Sequence, residues 1–307
     1  MTSKSPQNRF LISIIVPTFN HASFLKKSLN SVANQTYLNW ELIVIDNYST
    51  DETSNVVDDF ITNNSNNNIS YLKIHNNGVI AKSRNEGIKI AKGDWIAFLD
   101  SDDWWEPNKL ELISDYLNES NDLIYHDLEI VYKMNSIAKK RKLKSRILKT
   151  PVLIDLVLNG NPIANSSVVV RKKLLQKIGG LNESQDMIAA EDYNAWMRIA
   201  YLTDSFKHVP KVLGFYLIHD IGISQKDMSN PARKATSEFL SILNNKQKKE
   251  LESYLSYVSG SFKFSKNDYF DSRKSFLLAK KNGNLKIKIK SYIFLFMILV
   301  KQISGGR

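Results

Sequence analysis

The sequence predicts an α/β protein, a mostly parallel, doubly wound sheet flanked by helices and followed by a helical C-terminal extension. Three observations carry this. Uninterrupted apolar runs, LISIIV (Leu11–Val16), WELIVI (Trp40–Ile45) and WIAFL (Trp95–Leu99), read as strands buried on both faces. Segments with helical spacing separate them. Beyond about Pro231 the pattern is helical to the end, which divides the 307 residues into a domain over 1–230 and an extension over 231–307.

Leu11–Val16 is closed by Pro17, after which Phe24, Leu25, Leu29 and Val32 recur at helical spacing. Trp40–Ile45 ends in the polar run Asp46–Asp51, where Thr50 or Asp51 is placed to cap a helix carrying Val56, Val57 and Phe60. Asn63–Asn68 reads as a surface loop, Ile69–Ile74 as a strand, and Ile80–Ala91 as a helix stopped by Gly93. Lys139–Lys149, with seven basic residues in eleven, reads as a solvated loop or hairpin. Ser167–Val170 is a short strand and Glu191–Tyr201 a helix. Sheets of this type bind ligands at the carboxyl ends of their strands, so the loops after Val16, Ile45 and Leu99 matter most.

A hydrophobic content of 43% supports a sizeable core, and the absence of cysteine excludes disulfides and thiolate metal sites. The formal net charge is +11, of which +9 lies between Ser261 and Arg307. Basic chains suit nucleic acid, anionic membranes or anionic substrates, and charge gathered at one end favours a surface contact. Met1–Arg9 is polar and is expected to hold no signal peptide. The apolar run Tyr292–Val300 falls short of the roughly 20 residues that a bilayer span needs. Lys286, Lys288 and Lys290 alternate with Leu285, Ile287 and Ile289 just before it. The segment suits an anionic bilayer surface or, equally, a C-terminal helix packed on the main domain with solvated lysines.

The chemistry is concentrated in Asp100-Ser101-Asp102-Asp103, directly after WIAFL. Three carboxylates within four residues repel one another unless a cation neutralises them, and hard oxygen ligands suit Mg²⁺ or Mn²⁺. An acidic turn capping the next helix, near Pro107, is the alternative. Other strand ends offer Pro17, Thr18 and Asn20, which can meet a nucleotide through side chain or backbone, and Asp46, which can accept from a base edge or sugar hydroxyl. Arg84, early in the helix opened by Gly78, can pair with a diphosphate. The GxGxxG and GxxxxGK[ST] loops are absent, which removes dinucleotide dehydrogenases and P-loop ATPases. A Gly-rich basic loop of the nucleotidyltransferase kind is missing between Pro17 and Phe24.

The motifs VPTFN (Val16–Asn20), VIDNYSTDET (Val44–Thr53), GVIAKSRNEGI (Gly78–Ile88), FLDSDDWW (Phe98–Trp105), IGGLNES (Ile178–Ser184) and EDYNAWMRIA (Glu191–Ala200) follow in order over roughly residues 10–220. Together they resemble glycosyltransferase family 2. The resemblance implies a GT-A fold and an inverting mechanism, with Asp46 at the uracil of a UDP-sugar and Arg84 near the nucleotide. It implies that Asp100 and Asp102, with Ser101 between them, form the family's DxD and touch ribose and a metal on the diphosphate, a task Asp103 shares. Asp192 matches the general base, with Glu191 beside it. Phe215–His219, followed by Ser224, resembles the late loop that closes over the diphosphate, which puts His219 among the metal ligands. Leu217 stands where that loop often carries Arg.

The expected activity is transfer of a hexose from a UDP-sugar, UDP-glucose first, to a lipid-linked (undecaprenyl-diphosphate) saccharide in O-antigen or capsule biosynthesis. UDP-galactose and UDP-N-acetylhexosamine are alternative donors. The expected setting is the cytoplasmic face of the inner membrane, bound peripherally, with Mn²⁺ or Mg²⁺ as cofactor and no nucleic-acid partner. The multiple membrane spans and QxxRW motif of processive synthases are absent, which implies addition of one sugar per encounter. A non-catalytic polyanion-binding protein using the basic tail is the reading from a different class; it predicts steep salt dependence and a dispensable Asp102.

Overall fold

The computed structural model describes residues 10–132, 141–143, 145–219 and 227–304. The first half runs β1 (Ile12–Thr18), α1 (Ala22–Ala33), β2 (Trp40–Asp46), α2 (Thr53–Asn63), β3 (Ile69–Lys73), α3 (Ile80–Ile90) and β4 (Trp95–Phe98). Then come β5 (Trp104–Trp105), α4 (Lys109–Ser114), β6 (Leu123–Val131), β7 (Arg141–Leu143), α5 (Val152–Asn159), β8 (Val169–Arg171) and α6 (Lys172–Lys177). The chain continues through α7 (Glu191–Ala200), β9 (Phe206–Leu217), α8 (Ser229–Ser237), α9 (Asn245–Ser265), α10 (Tyr269–Asn282) and α11 (Leu285–Ser304).

The strands form one sheet in the order β3-β2-β1-β4-β8-β6-β9-β5, with β7 on β6. β1 pairs in parallel with β2 on one side and β4 on the other. Successive units therefore wind first one way and then the other from β1, which opens a crevice at the carboxyl ends of β1 and β4. β1, β2 and β4 are buried at every position, as their uninterrupted apolar runs require. Beyond β4 the sheet becomes mixed: β8 is antiparallel to both β4 and β6, whereas β9 runs parallel to β6.

Local contacts explain the boundaries. Asp51 fastens two helix starts: its carboxylate accepts from the Thr53 amide at 3.0 Å and hydroxyl at 2.5 Å, and from the Ala22 amide at 3.0 Å. A side chain at Gly93 would meet the Leu11 carbonyl at 2.5 Å, so only glycine lets the chain cross β1 before entering β4. Trp105 and Trp196 are buried in the two apolar clusters flanking the sheet, and Trp104 stacks on Phe215 with centroids 5.2 Å apart. These tryptophans are packing residues.

The helical tail does not stand apart. Ala235, Phe239, Leu251 and Leu255 belong to the same apolar cluster as Leu156 of α5 and Trp196 of α7. α10 packs along α9, and α11 lays Ile287, Phe294 and Ile298 inward, with Phe294 stacked on Phe276 at 4.7 Å. Among the described residues no helix is long and apolar enough to cross a membrane. Part of the basic segment Lys139–Lys149 and Ser224 lie outside the described residues; Arg141–Leu143 form the hairpin strand on β6.

Candidate active site

A cavity of about 620 Å³ opens at the carboxyl ends of β1 and β4, within the range of small-molecule sites. Pro17, Arg84, Asp100, Asp102, Asp192 and His219 are among its walls. Residues 100 and 102 thus share one chamber with the distant residue 192.

Arg84 holds the floor together. It is almost fully buried on α3, and its two terminal nitrogens reach Asp100 at 2.8 Å and Glu191 at 2.6 Å. Burial opposes its charge, but the Asp100 and Glu191 carboxylates outweigh that cost and raise its pKa above the ordinary value. The Asn165 side-chain amide also donates to Asp100, at 2.9 Å. Arg84 is thus committed to two carboxylates rather than left open toward a diphosphate.

Asp192 stands next to this ion triad at the start of α7. It is half-buried on the cavity wall, accepts from the Tyr193 amide at 2.6 Å, and lies 3.5 Å from the Asn161 side-chain nitrogen. Burial pushes its carboxyl up, the Glu191 charge adds to that, Arg84 opposes it, and the result is about 7. A carboxylate with that affinity is suited to take a proton near neutrality. Glu191 Oε2 is buried without a hydrogen-bond partner.

The four residues of the acidic cluster part company. Asp103 is buried at the chamber wall and held by protein donors: it accepts from Ser166 Oγ at 2.5 Å and from the Leu217 amide at 3.0 Å. Burial first, then the Asp102 and Asp100 charges, push its carboxyl well above the usual range. Both oxygens have protein donors, so Asp103 ties the end of β9 to the loop after β4, in place of the expected share in metal binding. Asp102 instead meets His219, with 2.8 Å between Oδ2 and Nε2. The His219 ring stacks on Phe24 at 5.0 Å and meets His21 edge-on at 6.1 Å, while His21 Nδ1 lies 2.7 Å from Ser101 Oγ. His21 was not singled out by the sequence, and no local pattern marks it.

Among the described residues no three His, Cys, Asp or Glu side chains gather as a metal cage. Asp102 and His219, which meet on the chamber wall, are a donor pair that fits Mn²⁺, with other positions left for phosphate oxygens and water. Of the four ligands expected from sequence, Asp103 has both oxygens engaged by Ser166 and Leu217, and Asp100 is held through one oxygen by Arg84 and Asn165.

Thr18, Asn20 and Asp46 lie behind this front. Asp46 is fully buried and accepts from the Ser49 amide and hydroxyl at 2.9 and 2.5 Å and from the Tyr71 hydroxyl at 2.9 Å. A base edge reaches Asp46 only in place of one of those hydroxyls. Asn20 links the loops after β1 and β2: its amide donates to Ser49 Oγ at 2.8 Å, and its side chain accepts from the Thr50 amide at 2.8 Å. Thr18 Oγ1 is buried without a partner.

The opposite wall comes from the tail. Met228, Tyr254 and Val258 line the chamber, and the Tyr254 hydroxyl occupies the place where a side chain at Gly160 would project, 1.8 Å from it.

Residues 13–179 match the family described as Glycosyl transferase family 2. The UDP-Glc:alpha-D-GlcNAc-diphosphoundecaprenol beta-1,3-glucosyltransferase WfgD of Escherichia coli is 35% identical over 191 residues, covering 62% of this chain and 70% of that protein. The crystal structure of S. aureus TarS 1-349 in complex with UDP-GlcNAc superposes with a TM-score of 0.62 at 19% identity, covering 96% of this chain and 92% of that one. The mannosyltransferase PcManGT from Pyrobaculum calidifontis, in complex with GDP-Man and Mn²⁺, gives a TM-score of 0.61 at 16% identity, covering 98% and 89%. The two structural likenesses are likenesses of fold.

Proposed function

The chain belongs to glycosyl transferase family 2 and is a glycosyltransferase of GT-A fold; from that premise we propose that it transfers a hexose from a UDP-sugar, with inversion, to a saccharide linked through diphosphate to a polyprenyl lipid. The single observation that carries this reading is the shared chamber. A carboxylate with a pKa near 7, Asp192, faces the same space as the strand-end pair Asp102 and His219. WfgD, whose name specifies UDP-Glc and a diphosphoundecaprenol-linked acceptor, supports UDP-glucose as donor. UDP-galactose and UDP-N-acetylhexosamine are the next candidates.

In this reading Asp192 removes the proton of the attacking acceptor hydroxyl, and Asn161 holds that carboxylate toward the chamber. Attack opposite the leaving UDP turns an α-linked donor into a β-linked product. Arg84 holds the Asp100 and Glu191 side chains in place beside the reacting groups. Thr18, Asn20 and Asp46 shape the nucleotide side, and Pro17 and Ser101 border it. Asp102 and His219 are the groups that would hold a divalent ion, which neutralises charge on the departing diphosphate.

The deciding experiment measures UDP release by purified protein with each donor, Mn²⁺ and a GlcNAc diphosphate carrying a long alkyl chain. Asp102→Ala is expected to lower transfer about a hundredfold while thermal unfolding is unchanged. Undiminished transfer by that variant would sink the assignment.

The reading extends to a peripheral place on the cytoplasmic membrane face, in keeping with O-antigen or capsule assembly. Support comes from α11, where Tyr292, Phe296 and Ile303 are more than half exposed on a helix bearing Lys286, Lys288, Lys290 and Lys301. Phe296→Glu is expected to reduce flotation with vesicles of anionic lipid by about tenfold without lowering the melting temperature. Unchanged flotation would refute the membrane contact.

A further inference from the structure

α11 does not begin at an arbitrary place. Its first turn is capped by Asn284, whose side chain accepts from the Ile287 amide at 3.0 Å and donates to Asn159 at the end of α5, at 2.8 Å. Two residues beyond Asn159 is Asn161, which lines the chamber 3.5 Å from Asp192. The turn between them is fixed by the Tyr254 hydroxyl packed against Gly160 and by Arg146, which donates to the Gly160 carbonyl at 3.1 Å. The start of α11 is therefore anchored at the rim of the chamber, on the side of the candidate base.

That rim carries unneutralised positive charge. Lys286 and Lys290 are exposed and have no ion pair among the described residues, and the one carboxylate nearby, Asp155, is already bound by Arg146. Burial, followed by the Lys290 and Arg146 charges, lowers the Lys286 ammonium below its ordinary value, with Asp155 opposing. From the same end, Leu285, Ile289, Tyr292, Ile293, Phe296 and Ile303 form an exposed apolar stripe, while Ile287, Ser291 and Ile298 face inward. Over 20 residues the stripe runs roughly 30 Å away from the rim. An anion-seeking patch at the mouth of the chamber continues directly into an apolar track.

We propose that Lys286 and Lys290 seat the diphosphate of the lipid-linked acceptor, with the polyprenyl chain lying along the exposed stripe of α11 and the saccharide entering the chamber past Asn161. The proposal rests on the acceptor reading above and adds the site to it. Charge complementarity selects the occupant: an amphiphile whose anionic group lies between a sugar and a hydrocarbon matches a surface with the same three zones in the same order. Bulk anionic bilayer matches only two of them.

The test uses the full chain with saturating UDP, which fills the nucleotide side, and follows binding of farnesyl diphosphate by calorimetry. Wild type is expected to bind it more tightly than either farnesol or inorganic pyrophosphate. Lys286→Ser/Lys290→Ser is expected to weaken it roughly tenfold, and the double Arg variant to restore it. In the transfer assay the Ser variant should raise KM for the alkyl-diphosphate GlcNAc roughly tenfold, with kcat and the donor KM unchanged, and leave a neutral alkyl GlcNAc acceptor unaffected. Equal binding by wild type and variant, or equal losses on charged and neutral acceptors, would overturn the proposal. So would an effect confined to vesicle flotation, which would assign the lysines to bilayer headgroups. If farnesyl diphosphate binds as expected but no acceptor receives sugar, the transfer reading fails and the site remains.

Discussion

Asp192→Asn is expected to lower kcat about a thousandfold, because the variant keeps the shape of the cavity wall and loses the carboxylate proposed to take the acceptor's proton. The wild-type enzyme should carry the signature of that group in its pH profile. With a carboxyl pushed up to about 7 by burial and by Glu191, kcat/KM should climb about tenfold between about pH 6 and pH 8 and then level off. A profile flat across that window would remove Asp192 from the role of base. Stability gives an independent check with a definite sign. A carboxyl whose pKa is higher folded than unfolded contributes stability that is present below the unfolded pKa and lost as pH rises through about 7. Asn takes no part in that loss. The variant should therefore melt at or above the wild-type temperature at pH 8 while being almost inactive, a combination that general misfolding cannot produce.

Arg84→Met should have the largest effect on the fold itself. The side chain is buried between Asp100 and Glu191, and its removal leaves the buried Glu191 and the chamber-wall Asp100 without their common cation. Breaking buried pairs of this kind costs about 3–5 kcal/mol, a large part of a typical domain's stability. A fall in melting temperature of about 10 °C is expected. Adding Asp100→Asn and Glu191→Gln should recover much of it, since the destabilisation comes from uncompensated charge rather than from lost volume. Lys is a poor substitute, because one ammonium does not reproduce a fork that meets two acceptors at once. A wild-type melting temperature for Arg84→Met would mean that the triad is not held as described.

The parallel half of the fold was legible because its strands are buried on both faces and so spell themselves as continuous apolar runs. β1, β2 and β4 all lie within a residue or two of where those runs suggested. β9 was not legible, and its sequence gives the reason. Pro210 and Lys211 sit in the middle of the strand, where the register against β6 slips between the Val209 and Val212 pairings, so the proline is carried in an irregularity rather than a regular ladder. β6 failed for a related cause: its last three residues are only partly buried and its partners come from far along the chain.

The site shows the same division. The strand-end aspartates and Asp192 could be picked out from their motifs, but their separate tasks could not. Asp103 serves Ser166 and Leu217, and Arg84 serves carboxylates 16 and 107 residues away. Such assignments depend on which segments the sheet brings together, and nothing local to the motif encodes them. His21 belongs to the same class, since its importance comes from a contact with Ser101 across 80 positions. The helical character of the tail shows in its pattern, but its entry into the chamber through Tyr254 and Val258 has no periodic signature.

That wall has a consequence for how such proteins diversify. The family model matches residues 13–179, and Met228, just before α8, together with Tyr254 and Val258 of α9, lies beyond that span. Substitutions at Met228 or Val258 can therefore reshape that wall of the chamber while the strand-end side is left as it is.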